Sequence, residues 1–441
     1  MKNLILFWQA FVCVQPASFP GHRSLLPATR IPFARAAFAF IFSARLFSRA
    51  KLISLASCLL LPLAAPADGQ TLVGEDDASI RFETGSFAGI PWFARSAIIG
   101  TYSTNIATFG GNPAYRAIMP KHSGVAVLNI TNANGNFNCT GSLLDDRRSI
   151  LTAAHCFSDS LGVTNVLSAT AYFYDGSLLP PYNPDIMVPG NALATPVPIT
   201  NYFLAPGYSG SAIDNNDLAV VRLATDAPSF ARSYNLYSYS IASQEFNNVG
   251  YGRRSDSGGN VGANLLPGIL RQGSNRFEYS WGDPNFGSTF SSLFPRGLNT
   301  WVSDFDNGLA ANDAACKLAL AINPALAGNP AYCNVGLGTM EVAVSQGDSG
   351  GPNFIGNDIA AINSYIISFG QTYGDIDSKT NSTFGEFNGH TPVSPHIAFI
   401  RSVKVPGPVP IVGVASLLAW SRQLRRRLMS VKPLPKHSES I

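Results

Sequence analysis

Three short runs hold side chains that could act together on an acyl carbon. In Gly347-Asp348-Ser349-Gly350-Gly351-Pro352 a serine stands among glycines. A nucleophilic hydroxyl needs a tight turn that presents it beside backbone N–H groups, and glycine allows that close approach. In Leu151-Thr152-Ala153-Ala154-His155-Cys156 an imidazole could serve as general base once something orients it. In Asn215-Asn216-Asp217-Leu218-Ala219-Val220-Val221-Arg222-Leu223 a carboxylate sits at the mouth of a strand. Such a group can fix an imidazole's tautomer and stabilise the imidazolium formed during attack. Asp214 competes for this role, and Asp217 is preferred because it abuts the strand directly. Singly, the histidine and the aspartate read as packing and turn residues. Together with the serine run they make a nucleophile, base and orienting acid in the order His, Asp, Ser.

Strands must position these groups. From about Gly124 onward β-rich runs recur at 125–130, 142–144, 169–174, 218–223 and 359–367, separated by turn residues. This spacing predicts an all-β sandwich or barrel. One helix is expected at 312–320, with Ala314, Ala315, Leu318 and Ala321 as its apolar face and Asn312 as its cap. The Pro/Tyr/Asn-rich stretch 176–208 and the Gly/Ser/Asn-rich stretch 253–300 read as long surface loops, and no internal repeat is visible.

The two ends differ from the body. Residues 1–67 carry seven Lys/Arg and no Asp or Glu; an apolar run at 52–65 follows Lys51 and leads to Ala65-Pro66-Ala67, the small-x-small form a signal peptidase accepts. That run is shorter than the roughly 20 apolar residues a membrane span needs, so a leader cleaved after Ala67 is expected. Residues 68–115 read as an extension or propeptide. The body, 68–402, has 16 Lys/Arg against 26 Asp/Glu, which leaves −10, so nucleic-acid binding is disfavoured. At 403–441 a Val405-Pro406-Gly407-Pro408-Val409-Pro410 motif precedes an apolar stretch and Arg422, Arg425, Arg426 and Arg427. The order resembles the C-terminal exosortase-type (PEP-CTERM-like) signals of bacterial surface proteins, with Gly where that family commonly carries Glu. It implies exosortase-type sorting machinery as a partner, transient membrane association, and a secreted or cell-surface location. With Cys13 and Cys58 in the leader, Cys139, Cys156, Cys316 and Cys333 remain. An even set in an exported chain predicts two disulfides, with three pairings open.

The His, Asp and Ser runs together resemble the trypsin/chymotrypsin-like serine protease family over roughly 115–400. The resemblance implies two antiparallel Greek-key β-barrels, at 116–235 and 236–402, with the site in the cleft between them. It implies His155, Asp217 and Ser349 as catalytic residues, the Gly347 and Ser349 amides as oxyanion hole, and Cys139–Cys156 and Cys316–Cys333 as disulfides. The implied activity is hydrolysis of protein or peptide substrates by a serine endopeptidase through an acyl-enzyme, without a cofactor. The rival is a catalytically silent homologue serving as a surface binding module.

Some positions depart from the family pattern. Ser345 stands where the family has a cysteine, and Ala343 where trypsins have a pocket-floor Asp, so a small or apolar substrate side chain is implied. Ser364 and Ile366 are expected in the same specificity pocket. No Ile-Val-Gly-Gly-like start lies upstream, which leaves the partner of Asp348 open and points to processing within 68–122. Asp304-x-Asp306-Asn307-Gly308 and Asp375-x-Asp377 read as solvated turns and no metal is expected. His122, His390 and His396 are expected on the surface.

Overall fold

Runs such as Val125-Ala126-Val127-Leu128 and Ala219-Val220-Val221 are made of residues that fit a pleated, half-buried surface, and they form the inner wall of a barrel. The computed structural model describes residues 113–176 and 194–404 apart from 212 and 266, strand backbone at 83–87, 90–95 and 97–100, and part of 420–425. The expected export signal and nearly all of the expected C-terminal sorting segment lie outside the described residues. Among the described residues no helix is long and apolar enough to cross a membrane.

Sixteen strands are described. Three precede the barrels: β1 (Glu83–Phe87), β2 (Ile90–Arg95) and β3 (Ala97–Gly100). Six follow: β4 (Val125–Asn132), β5 (Gly135–Leu143), β6 (Ser149–Thr152), β7 (Val166–Tyr174), β8 (Ala194–Leu204) and β9 (Ala219–Leu223). They close into an antiparallel barrel in the order β4-β5-β6-β9-β8-β7. Its interior holds Val125, Val127, Leu151, Phe173, Val220 and neighbours, all fully buried.

The second half contributes β10 (Glu245–Gly250), β11 (Arg271–Arg276), β12 (Trp301–Asp304), β13 (Val342–Ser345), β14 (Pro352–Ile355), β15 (Asp358–Ser368) and β16 (Phe387–Pro392). The path β12-β16-β15-β14-β10-β11 returns on itself where Ser280, just past β11, bridges Trp301 of β12. With β13 left aside, its six strands follow the same order as the first barrel. The chain is therefore all-β with two antiparallel, barrel-like six-stranded sheets, as expected. An aromatic core of Tyr279, Trp281, Phe286, Phe290, Phe294 and Tyr365 fills the second, and the Trp281 Nε1–H donates to the Tyr365 hydroxyl at 2.8 Å.

Several expectations need correction. The two stretches read as loops contain β8 and β11. In β8 prolines at 196 and 198 disguise an inward alternation of Ala194, Val197 and Ile199. The helix α1 spans Ala314–Ile322, and its cap is Asp313, whose carboxylate accepts the Cys316 N–H. A second short helix, α2 (Ile397–Val403), was not anticipated. His122, His390 and His396 are buried rather than exposed. His390 lies on β16, where its ring meets Phe246 and Phe277 edge-on and its Nε2 pairs with the Ser303 hydroxyl at 2.9 Å.

Two strands within the 68–115 region pair with strands of the second half. Strand β2 pairs antiparallel with the end of β15, Arg95 opposite Ile366 and Phe93 opposite Ser368. Strand β3 pairs with β13, Ala97 opposite Ser345.

Candidate active site

His155 sits on a single 3₁₀ turn, Ala154–Phe157, directly after β6. The Cys139–Cys156 disulfide, Cα atoms 6.4 Å apart, fastens that turn to β5. Asp217 precedes β9, the neighbour of β6 in the barrel, so adjacent strand ends deliver both groups to one edge. The Asp217 carboxylate is fully buried and accepts three hydrogen bonds. Its Oδ1 takes the His155 backbone N–H at 2.8 Å; its Oδ2 takes the His155 Nδ1 at 2.6 Å and the Ser364 hydroxyl at 2.5 Å. Burial acts to raise the carboxyl's pKa, but His155 and the Ser364 hydroxyl outweigh it and hold the group below the ordinary carboxylate range. Asp214, the competing carboxylate, is engaged within its own turn by the N–H groups of Ser209 and Asn216.

Ser364 reaches Asp217 because β15 is irregular there. Asn363 faces His390 on β16, while Tyr365 faces the next residue, Gly389. Ser364 is thus the extra residue of a bulge, a device that re-aims a side chain. The sequence reading assigned Ser364 to the specificity pocket; the structure shows its hydroxyl on Asp217. Of the other two residues expected in that pocket, Ala343 packs against Phe305 and Phe384, and Ile366 against Val344.

Ser349 lies at the tip of the turn between β13 and β14. The turn is moored to the first barrel: Thr140 donates its N–H to the Ser349 carbonyl at 2.9 Å and its hydroxyl to the Gly347 carbonyl at 2.7 Å. The Ser349 carbonyl also lies 3.9 Å from the Cys156 Sγ, beside His155 in sequence. Gly350, at φ +76°, comes so close that a Cβ there would stand 2.1 Å from the Thr152 Oγ1. Its N–H donates to the Asn363 carbonyl, that of Gly351 to the Asp348 carbonyl, and that of Asp348 to the Ser345 carbonyl. Among the described residues the Gly347 and Ser349 amides take no part in that network, and those are the two assigned to an oxyanion hole.

The open question of Asp348 has a structural answer. Its carboxylate, fully buried, accepts the Gly252 N–H at 2.8 Å and the Ser345 N–H at 3.0 Å. Burial drives its pKa well up, opposed by the Gly252 N–H and by the charge of Arg271. Burial in turn lowers Arg271 to about 10, with its guanidinium carbon 5.1 Å from the Tyr115 ring centroid. Thr140, Asn363 and Arg271 were missed in the sequence because their partners lie more than a hundred residues away or depend on a turn whose shape no local pattern announces. Asn363 is the hub of the second barrel's end: its amide bonds Asn248, Asn353 and the Asp348 carbonyl.

Among the described residues, three groups have ligand atoms within 4.8 Å of one another: Cys139, His155 and Cys156; Asp304, Asp306 and Asp313; and Asp375, Asp377 and Glu386. The first is excluded as a metal site by its disulfide. The other two include carboxylates expected in solvated turns, yet Asp304, Asp306 and Asp375 are buried.

The model of the trypsin family matches residues 119–280. The match holds His155 and Asp217 and ends before Ser349. No curated protein matches the chain. Among solved structures, GrC is similar at 19% identity over 65% of this chain and 97% of its own, with a TM-score of 0.42. HL collagenase is similar at 18% identity over 66% of this chain and 98% of its own, with a TM-score of 0.40.

Proposed function

We propose that the chain is a serine endopeptidase that cleaves peptide bonds through an acyl-enzyme. The observation that carries this is the Asp217 carboxylate gripping His155 at both the ring and the backbone, with the Ser349 turn moored alongside. In the mechanism, the Ser349 Oγ attacks the substrate carbonyl while the His155 Nε2 takes its proton. Asp217 fixes the tautomer that leaves Nε2 available and stabilises the imidazolium. The Gly347 and Ser349 amides hold the tetrahedral oxyanion, and His155 returns the proton to the leaving amine. Water then repeats the sequence on the acyl-enzyme.

Two disulfides suit an oxidising compartment, in keeping with export and surface sorting. A small or apolar side chain remains the proposed preference, since neither Ala343 nor Ile366 offers a charge. The pairing of β2 with β15 and of β3 with β13 supports processing within 68–122, because the uncleaved segment lies along the strands that lead to Ser364 and Ser349.

The test is turnover of an unstructured protein substrate by wild type and Ser349→Ala. Loss of turnover with an unchanged melting curve is expected. Undiminished cleavage by the variant would overturn the assignment.

A further inference from the structure

The Asp304, Asp306 and Asp313 carboxylates converge where β12 ends and α1 begins, far in sequence from His155, Asp217 and Ser349. Glu278 and Glu341 are also buried beside them. Three of the oxygens are engaged with backbone: the Asp304 Oδ2 accepts the Ala315 N–H, the Asp306 Oδ1 the Gly308 N–H and the Asp313 Oδ1 the Cys316 N–H, each at 2.8 Å. Asp304 Oδ1 is buried and accepts no hydrogen bond from the described residues, while the second oxygen of Asp306 is buried beside the Glu341 carboxyl, with which the Asp306 side chain shares a hydrogen bond. Both side chains are at least 99% buried. The Glu341 carboxyl, which holds the Asp306 and Asn307 N–H groups, also lies against that of Asp306.

We infer that Asp304, Asp306 and Asp313 form a calcium-binding site in the second barrel. Buried carboxylates are expected to be paired, hydrogen-bonded or bound to a metal. Among the described residues no Lys or Arg makes an ion pair with any of these three. The ligands are all oxygen, the preference of a hard cation, and none is the nitrogen or sulfur that zinc favours. Calcium–oxygen distances of about 2.3–2.6 Å let two ligands of one ion stand up to about 5 Å apart. The 4.8 Å limit on these three atoms fits within that reach.

The electrostatics agree. Burial, and then the charges of Asp306, Glu278, Asp313 and Glu341, drive the Asp304 carboxyl well up. Burial likewise lifts Asp313 to about 7 and Asp306 to about 6. A divalent cation would offset the mutual repulsion of these carboxylates. Bound there, it would join the end of β12 to the helix that begins at Ala314 and carries the Cys316–Cys333 disulfide. The neighbouring set of Asp375, Asp377 and Glu386 is a poorer candidate: Glu386 already accepts the N–H groups of Asn381, Ser382 and Thr383, and Asp375 the Ser368 hydroxyl.

The test uses the full chain, stripped with EDTA and titrated with calcium chloride by calorimetry, with thermal melting in calcium and in EDTA. One calcium per chain is expected, with a dissociation constant on the order of 10⁻³ M or tighter, and a higher melting temperature in calcium. Asp306→Asn should weaken binding at least tenfold, and Asp377→Asn should leave it intact. No binding heat and identical melting in calcium and EDTA would overturn the site, as would loss of binding in Asp377→Asn alone. If Asp306→Asn does not fold, terbium bound to the wild-type chain decides the matter. Emission sensitised by the adjacent Tyr279 and displaced by calcium is expected, and its absence would count against the site. None of these readouts depends on peptidase activity.

Discussion

The Ser364 hydroxyl donates to the Asp217 Oδ2 across 2.5 Å, so a residue of the second barrel holds the carboxylate that orients a histidine of the first. The two halves of the molecule are thereby joined at the proposed reacting centre.

Ser364→Ala removes that bond and leaves the Asp217 carboxylate with two donors. A hydrogen bond to a buried charge is worth roughly 1.5–3 kcal/mol, so kcat should fall about ten- to a hundredfold with KM nearly unchanged. The carboxyl of Asp217 is depressed in the fold, so its stabilising contribution is present above the unfolded value and lost as pH falls. The variant should therefore unfold in acid at a higher pH than wild type. Circular dichroism against pH and steady-state kinetics measure the two effects, and coincident acid transitions would contradict this role.

Gly350 is fixed by two requirements at once, a positive φ and contact with Thr152 and Ala153. Gly350→Ala should cost on the order of 1–3 kcal/mol in backbone strain alone and push the Ser349 turn away from the first barrel. A clear drop in melting temperature with a hundredfold or greater loss of kcat/KM is expected. A variant of wild-type stability and rate would show that the turn and the first barrel are not in contact as described.

Burial holds His390 at about 3, below its unfolded value near 6.5. The unfolded chain thus takes up a proton below pH 6.5 that the folded chain refuses, and stability is lost as pH falls from there toward 3. His122 and His396, each lowered to about 4 by burial, act in the same direction. Glu386 acts oppositely: burial raises it to about 8, so its contribution is lost as pH rises from the ordinary carboxylate range to that value. His390→Gln isolates the contribution of this one imidazole. Its stability between pH 6.5 and 4 should fall less steeply than wild type by up to about 1.4 kcal/mol per pH unit, as read from urea unfolding at several pH values. Parallel slopes would contradict it.

Strand β2 pairs with β15 through a ladder of backbone hydrogen bonds that a proline placed in it would interrupt. In the uncleaved chain, Ala94→Pro should loosen the segment opposite Ile367 and raise cleavage of a peptide substrate at least several-fold. A rate equal to or below that of the unaltered chain would remove the idea that this segment restrains the site.

The sequence exposed some of this plainly and hid the rest. The strands around Val127, Val221 and Ile362 announce themselves by composition, because their side chains meet core on one or both faces. The His155, Asp217 and Ser349 runs were recognisable because a nucleophile turn and a strand-end acid each need particular residues in a local order. Strand β8 was hidden by its prolines, and β11, Arg271-Gln272-Gly273-Ser274-Asn275-Arg276, contains no large apolar residue at all. The second role of Ser364 depends on a bulge, and a one-residue shift of register leaves no mark in composition. The burial of Asp304 and Asp306 depends on what packs over the end of β12, which only three-dimensional packing decides.

The most direct test of the central claim is mass spectrometry of the processed protein after exposure to a peptidyl phosphonate ester. One adduct per chain on the Ser349 oxygen is predicted, absent in Ser349→Ala and formed at least a hundredfold more slowly in His155→Ala. A chain that takes up no label, or whose labelling is indifferent to His155, would contradict the account.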